Sequence, residues 1–333
     1  SAHDLAPSFF EVTTAAMFLA FAEHPADACV IEVGLGGRFD ATNVIPHPAA
    51  CGIASLGIDH EAFLLREEAG VPADPLARIA FEKTSIARPG APLVTQAYPP
   101  HASEQVKCTA AAHRAPVFMR NAAWRAEVGE DGIIYADSHG SLALPLPTLS
   151  GAHQAENAAL AVAMLRHQSK LSVTPEAMAK GIRAARWPAR LQRLGTGPLT
   201  ALVPGREVWL DGGHNPDAGA ALGRFFAESL RRQEPQEPAS DSAKGLRPLP
   251  AQGLHLIIGM LANKDPAAIL APLAGKLASV SVVPAPGHDA HSPEDFAAHT
   301  ALPVRAFPDV PSALKALPAD ERTILIAGSL YLA

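Results

Sequence analysis

The sequence has no long apolar run, no block of basic residues and no closely spaced cysteines. No stretch nears the ~18–20 apolar residues that a membrane-spanning helix needs, and no signal peptide is read. Lys and Arg number 27 against 33 Asp and Glu, a net charge of −6 spread along the chain. Without a basic block, nucleic acid is not expected as a partner. The three cysteines, Cys29, Cys51 and Cys108, form no CxxC pair, which argues against a metal or disulfide framework. Cys29 and Cys51 sit in apolar runs, so buried free thiols are expected, as suits a reducing cytoplasm. A Walker A sequence is also missing. The glycines of "VIEVGLGGRFDATNVI" (30–45) do not follow the G-x-G-x-x-G spacing of a dinucleotide loop.

What is present is a chain built for sizeable cores. Hydrophobic residues make up 48% of 333, too many for disorder, and the length suggests two domains at ~100–200 residues each. Apolar residues at helical spacing (Phe10, Met17, Phe18, Phe21) predict a helix over 10–24. "ACVIEVG" (28–34), "CGIASLGIDH" (51–60) and "APLVTQA" (91–97) read as short buried strands. "DPLARIAFEKTSIARPG" (74–90) reads as a helix stopped by Pro89–Gly90. Such alternation predicts a parallel α/β sheet. Residues 117–146 change character and read as antiparallel hairpins, followed by helices over 151–168 and near 175–186. After the crossover "WPARLQRL" (187–194) the alternation restarts. The strands are "EVWLDGGHNP", "LHLIIGML", "SVSVVPAP" and "RTILIAGSLYLA", and a helix covers 217–232. The expected domains are 1–192 and 193–333. The Pro-, Ser- and charge-rich stretch between helix 217–232 and strand 254–261 reads as an exposed loop.

Ligands of open parallel sheets sit off the carboxyl ends of the strands. Glu32, read as buried within a strand, Asp59–His60 at the next strand end and Lys83 in the following helix occupy such places. A buried carboxylate needs a partner or a cation. Glu32 and His60 make a reasonable divalent-cation site. A structural ion pair and a satisfied core histidine are the competing readings. An acid beside the Gly34–Gly37 turn would repel phosphate, so that turn reads as backbone passing close to a ligand or cation, with Asp40 and Asn43 as local caps. In "LDGGHNPDA" (210–218), Asp211 ends a strand and His214–Asn215–Pro216 open a helix, whose N-terminus favours anions. Asp211 could hold a ribose hydroxyl and His214 approach a phosphate, or the segment could simply be a capped turn. Arg190, on the crossover, is either a solvated linker residue or a cation meeting a phosphoryl group.

Nine segments, in order along nearly the whole chain, resemble the folylpolyglutamate synthase/dihydrofolate synthase family of the Mur ligase superfamily. They are "SFFEVTTAAMFLAF" (8–21), "EVGLGGRFDATNVI" (32–45), "GIDH" (57–60), "EKTSIARPG" (82–90), "GAHQAENAALA" (151–161), "WPARL" (187–191), "LDGGHNP" (210–216), "IIGMLANKD" (257–265) and "GSLYLA" (328–333). The resemblance implies a Mur-ligase-like central parallel-sheet ATPase domain and a smaller C-terminal Rossmann-like α/β domain. It implies a cytoplasmic, monomeric ATP-dependent ligase that activates a carboxylate as an acyl phosphate and couples it to L-glutamate, with dihydropteroate or a reduced folate as acceptor. It also implies two Mg²⁺ sites, with Glu32, His60 and a carbamylated Lys83 as ligands. Ser8, Phe9, Phe10, Glu11, Phe39, Asp40 and Ala41 match the pteroate-binding segments. Asn157, Arg190 and Asp211 match ATP contacts, with His214 beside them; Lys83, Arg190 and His214 are the expected catalytic set.

The sequence departs from the family pattern in places. E-K-A-G-I is here E-K-T-S-I (82–86), P-G-R-L is P-A-R-L (188–191), and the segment after His60 looks longer than usual. The family's phosphate loop lies upstream of the segment that begins at Ser8. The chain, which opens without Met, is therefore expected to be a piece lacking about a hundred preceding residues and to be inactive by itself. The alternatives are a Mur-type ligase with another carboxylate substrate and a non-catalytic fragment.

Overall fold

The computed structural model describes residues 6–58, 61–232 and 253–332. The chain divides into two compact units, one of residues 1–145 and 156–179 and the other of 146–155 and 180–333. No helix among the described residues is long and apolar enough to cross a membrane.

The first unit opens with helix α1 (Phe9–Glu23). Ser8 starts it through a capping box: its hydroxyl accepts the Glu11 N–H at 3.2 Å and the Glu11 carboxylate accepts the Ser8 N–H at 2.7 Å. The helix agrees with the apolar spacing, but Thr14 is its one buried residue. The strand expected over 28–34 does not form; among the described residues this segment has no ladder partner, and Val30 is 97% exposed. β-branched residues favour a strand only where a neighbour pairs with it. Cys29 is likewise exposed rather than buried, whereas Cys51 is buried as expected and burial pushes its thiol up to about 11.

Strand β1 (Cys51–Ile53), the short helix α2 (Glu61–Leu64), helix α3 (Pro75–Thr84), strand β2 (Leu93–Thr95), helix α4 (Pro100–Ala112) and strand β3 (Val117–Met119) follow. The three strands form a parallel sheet in the order β1-β2-β3, with Leu93 beside both Cys51 and Val117. Asp74 caps α3, its carboxylate accepting the Ala77 N–H at 2.8 Å. Helices α3 and α4 set Ala80, Ala102, Val106 and Ala110 into one core cluster with Cys51, Ile53 and Leu93. The hairpin region begins later than expected. Residues 117–119 belong to the parallel sheet, and only β4 (Trp124–Val128), β5 (Ile133–Asp137) and β6 (Gly140–Leu144) form the antiparallel meander. Helices α5 (Ala152–His167) and α6 (Pro175–Ala184) stand where their spacing put them.

The second unit holds β7 (Gln192–Arg193), β8 (Val208–Asp211), α7 (Pro216–Arg232), β9 (Leu254–Ile258), α8 (Ala267–Leu273), β10 (Leu277–Val282), α9 (Pro293–Ala297), β11 (Val304–Ala306), α10 (Val310–Lys315) and β12 (Ile324–Ala327). The sheet order is β11-β10-β9-β12-β8-β7, parallel except for the antiparallel edge strand β7. Alternate residues enter opposite layers, as the two-residue strand period requires. Trp209, Leu256, Ile258 and Leu325 pack with Leu222 and Phe226 of α7 and with α8. Val208, Leu210, Ile257 and Ile326 pack with Ala313 and Leu314 of α10. The expected loop before β9 lies outside the described residues.

Candidate functional site

In the first unit the glycine loop is fastened to helix α3. The Arg38 N–H donates to the Glu82 carbonyl at 3.0 Å. A Cβ on Gly37, whose φ is +156°, would stand 2.7 Å from that same carbonyl oxygen. One on Gly34 would stand 2.3 Å from Cζ of Phe10. The loop thus passes close to its own chain at Glu82 and at Phe10. Two more of its N–H groups are used internally: Leu35 N donates to Asp40 Oδ2 at 2.7 Å and Asp40 N to the Gly37 carbonyl at 3.2 Å.

Asp40 organises the turn. Its Oδ1 accepts the Thr42 N–H at 3.0 Å and the Thr42 hydroxyl at 2.6 Å. Burial pushes this carboxyl up, but the bonds from Thr42, Leu35 and Gly34 outweigh it and hold it below the usual carboxylate range. Asn43 bridges onward, its amide donating to the carbonyls of Arg38 at 3.0 Å and Ser85 at 3.3 Å.

These segments surround a pocket of about 590 Å³. Ser8, Phe10, Glu11, Phe39, Asp40 and Ala41 line it, so the structure gathers all the expected substrate-binding residues except Phe9, which is 85% exposed. Its charged side was not read from the sequence. Arg38 stacks over Phe39 at 4.2 Å and Phe81 at 4.9 Å, and its guanidinium reaches the buried Glu82 carboxylate at 3.1 Å. Glu68 accepts from Arg38 Nη1 at 3.0 Å and from Arg78 Nη2 at 3.0 Å. The bond from Arg38 holds its carboxyl below the usual range. Arg78 Nε lies 3.0 Å from Glu82 as an ion pair but out of line for a hydrogen bond. The recoverable signal was Arg78 and Glu82 at i, i+4 on one helix.

In the second unit the site lies off the carboxyl end of β8. Asp211 is 8% exposed and spends both oxygens on backbone: Oδ2 accepts the Leu191 N–H at 2.7 Å and Oδ1 the Gly213 N–H at 2.7 Å. Gly212 N donates to the Ala189 carbonyl at 2.9 Å, and Ala189 N donates to Gln192 Oε1 at 3.0 Å. Ala189 and Leu191 both adopt the left-handed region, at φ +53° and +43°. Arg190 between them is exposed. His214 is half-buried, with Nδ1 3.2 Å from the Gly212 carbonyl. Asn215 caps α7, its Oδ1 accepting the Ala218 N–H at 2.9 Å.

A folylpolyglutamate synthase from Lacticaseibacillus casei is 30% identical over 345 residues, which cover 97% of this chain and 69% of that protein. The chain belongs to the folylpolyglutamate synthase family. The mitochondrial folylpolyglutamate synthase of Cricetulus griseus is 31% identical over 70% of this chain, and the match spans 39% of that protein's length. No family model matches. Two solved folylpolyglutamate synthase structures share the α/β fold. E. coli FolC in complex with DHPP and ADP superposes with a TM-score of 0.79 at 27% identity, over 99% of this chain and 70% of that one. The bifunctional folylpolyglutamate synthase/dihydrofolate synthase of Yersinia pestis, complexed with AMPPNP and a Mn ion, gives 0.76 at 26% identity, again over 99% and 70%.

Glu32 is exposed, not buried. Lys83 lies half-buried in the last turn of α3. Asp59 and His60 lie outside the described residues. Among the described residues no group of three His, Cys, Asp or Glu gathers as a metal site. A carboxylate such as that of Glu32 and an imidazole are donors that suit a divalent cation. Asn157 stands exposed in the second turn of α5, after Glu156. Glu156 meets Arg120 at 3.2 Å, and its carbonyl accepts from Gln96 Nε2 at 2.9 Å. Gln96 and Arg120 follow the carboxyl ends of β2 and β3, a placement the sequence reading passed over.

Proposed function

We propose that the protein joins L-glutamate to a pteroate or folate carboxylate at the expense of ATP. A carboxylate oxygen attacks the γ-phosphorus and ADP leaves, giving the acyl phosphate. The glutamate amine then attacks the acyl carbon, phosphate leaves and the amine gives up a proton. The observation that carries this reading is the pocket that gathers Phe10 and Phe39 with Ser8, Glu11, Asp40 and Ala41. Its aromatic walls suit a flat pterin ring.

In this reading Asn157, Arg190, Asp211 and His214 serve the nucleotide, with the Arg190 guanidinium offsetting charge on the transferring phosphoryl group. Glu32, His60 and Lys83 would hold Mg²⁺ at two sites, Lys83 after its amine has taken up CO₂ as a carbamate with loss of a proton. When bound, Mg²⁺ screens the repulsion between the acceptor carboxylate and the triphosphate. A monomer in the cytoplasm suffices for this chemistry.

The test is ATP- and Mg²⁺-dependent incorporation of labelled glutamate, with dihydropteroate and tetrahydrofolate offered in parallel to this chain and to its full-length natural form. Incorporation into either supports the reading and identifies the acceptor. Incorporation into neither, with ATP still consumed on another carboxylate, would replace it with a different amide ligase.

A further inference from the structure

Arg190 has a fixed backbone and a free head. Its neighbours Ala189 and Leu191 are 1% and 2% exposed, and they enter opposite hydrophobic layers of the second unit's sheet, Ala189 with Leu210 and Leu191 with Trp209. Both take positive φ, which for residues with a Cβ persists only where the surroundings over-determine it. Three backbone polar groups on either side are engaged. Leu191 N is held by Asp211, the Ala189 carbonyl by Gly212 N, and Ala189 N by Gln192 Oε1. The Arg190 guanidinium makes no hydrogen bond or ion pair among the described residues, although the chain has turned twice to present it.

Gln192 completes this clamp. It is the first residue of β7 and pairs with Leu210 of β8, so its backbone is set by the sheet. Its side chain turns back over three residues to take the Ala189 N–H, closing a ring around Arg190. No side chain besides Gln192 and Asp211 bonds to the backbone of 189–191 among the described residues. Asp211 fixes the segment after Arg190 and Gln192 the segment before it.

We propose that Gln192 is a positioning residue for Arg190, holding the left-handed turn that aims the guanidinium at the anionic group being transferred. This rests on the ligase reading given above. The requirement is for an acceptor atom at Gln192 Oε1, not for an amide. Gln192→Met keeps length and removes the acceptor, whereas Gln192→Glu keeps it.

The experiment compares the protein with its Gln192→Met, Gln192→Glu and Arg190→Ala variants in the glutamate-incorporation assay. Urea unfolding checks stability, and amide hydrogen exchange is followed at Ala189. The expected result is a fall in kcat of about tenfold to a hundredfold for Gln192→Met, with little change in KM for the acceptor. Gln192→Glu restores turnover, and the Ala189 amide exchanges faster only in the Met variant. A Gln192→Met protein that unfolds more easily but keeps its kcat overturns the proposal and leaves Gln192 structural. Full turnover by Arg190→Ala overturns the role of Arg190 without touching the ligase reading. No glutamate incorporation by the unsubstituted protein, assayed as its full-length natural chain, removes that reading, and the proposal with it.

Discussion

Arg38 holds Glu82 twice. Its backbone N–H meets the Glu82 carbonyl at 3.0 Å, and its guanidinium meets the Glu82 carboxylate at 3.1 Å. A loop and a helix 44 residues apart in sequence are thereby joined through one pair of residues, at backbone and side chain together. The pocket wall depends on that junction, since Gly36, Gly37, Arg38 and Glu82 all line it.

Gly37 is where the junction tolerates least. An added Cβ would sit 2.7 Å from the Glu82 carbonyl oxygen, and backbone cannot swing aside. Gly37→Ala is expected to destabilise the protein by about 2–4 kcal/mol, through strain and loss of the Arg38 N–H bond. Urea unfolding measures it; a change below about 0.5 kcal/mol, the range of a neutral surface substitution, would contradict the tight approach.

Gly34 should behave differently. The atom its Cβ would strike belongs to the Phe10 ring, which can rotate. Gly34→Ala is therefore expected to weaken pteroate binding more than folding, with a rise in Kd comparable to that of Phe10→Ala, about tenfold for a displaced aromatic contact. Calorimetric titration with dihydropteroate checks this, and equal losses of stability and affinity would argue against it.

Ala189 offers a test of backbone strain. Replacing it with Gly relieves a left-handed residue, worth about 1–2 kcal/mol. The same change returns about 0.5–1 kcal/mol to unfolded-chain entropy and about 0.8 kcal/mol in a lost buried methyl. These nearly cancel, so Ala189→Gly should leave stability within about 1 kcal/mol. Ala189→Val adds β-branching at φ +53° and bulk in a filled core, and should cost about 2–3 kcal/mol. The ratio of the two effects, read from thermal unfolding, decides whether φ or volume governs the site.

Asp137 gives the first unit a pH dependence. Its side chain is fully buried and pairs with Arg166 of α5 at 2.6 Å. Burial alone pushes this carboxyl up, yet the hydrogen bonds from Arg166, His139 and Tyr135 bring it from 3.8 to about 2. A folded-state value below the unfolded one means the stabilisation is whole above pH 3.8 and lost as pH falls toward 2. It amounts to roughly 2 kcal/mol. Asp137→Asn should flatten the acid limb of the stability curve between those values.

Much of the fold was readable wherever a segment carries its own signals. Strand β8 followed by helix α7 was legible because an apolar run ends in Asp211-Gly212-Gly213 and an Asn-Pro pair opens the helix. Helix α4 went unread; it opens directly at Pro100, its first residue. The strand expected at 28–34 failed for a different reason. Val30, Ile31 and Val33 have the right chemistry, but a ladder needs a second strand, and sequence periodicity does not supply one. The pocket-lining residues were recoverable through their motif; the Arg38–Glu68–Arg78–Glu82 network was not, because Glu68 reaches it from a loop. Gln192 was invisible for a similar reason, since its role exists only once Ala189 has turned left-handed.

The two layers entered by Ala189 and Leu191 restrict how this crossover can evolve. A small exchange can be accommodated within it, and Ala in place of the usual Gly at residue 189 is such an exchange. Its length cannot drift. One residue gained or lost between Pro188 and β7 would send each anchor toward the wrong side of the sheet and rotate Arg190 inward. Insertions and deletions should therefore be rarer here among relatives than small exchanges such as Gly for Ala.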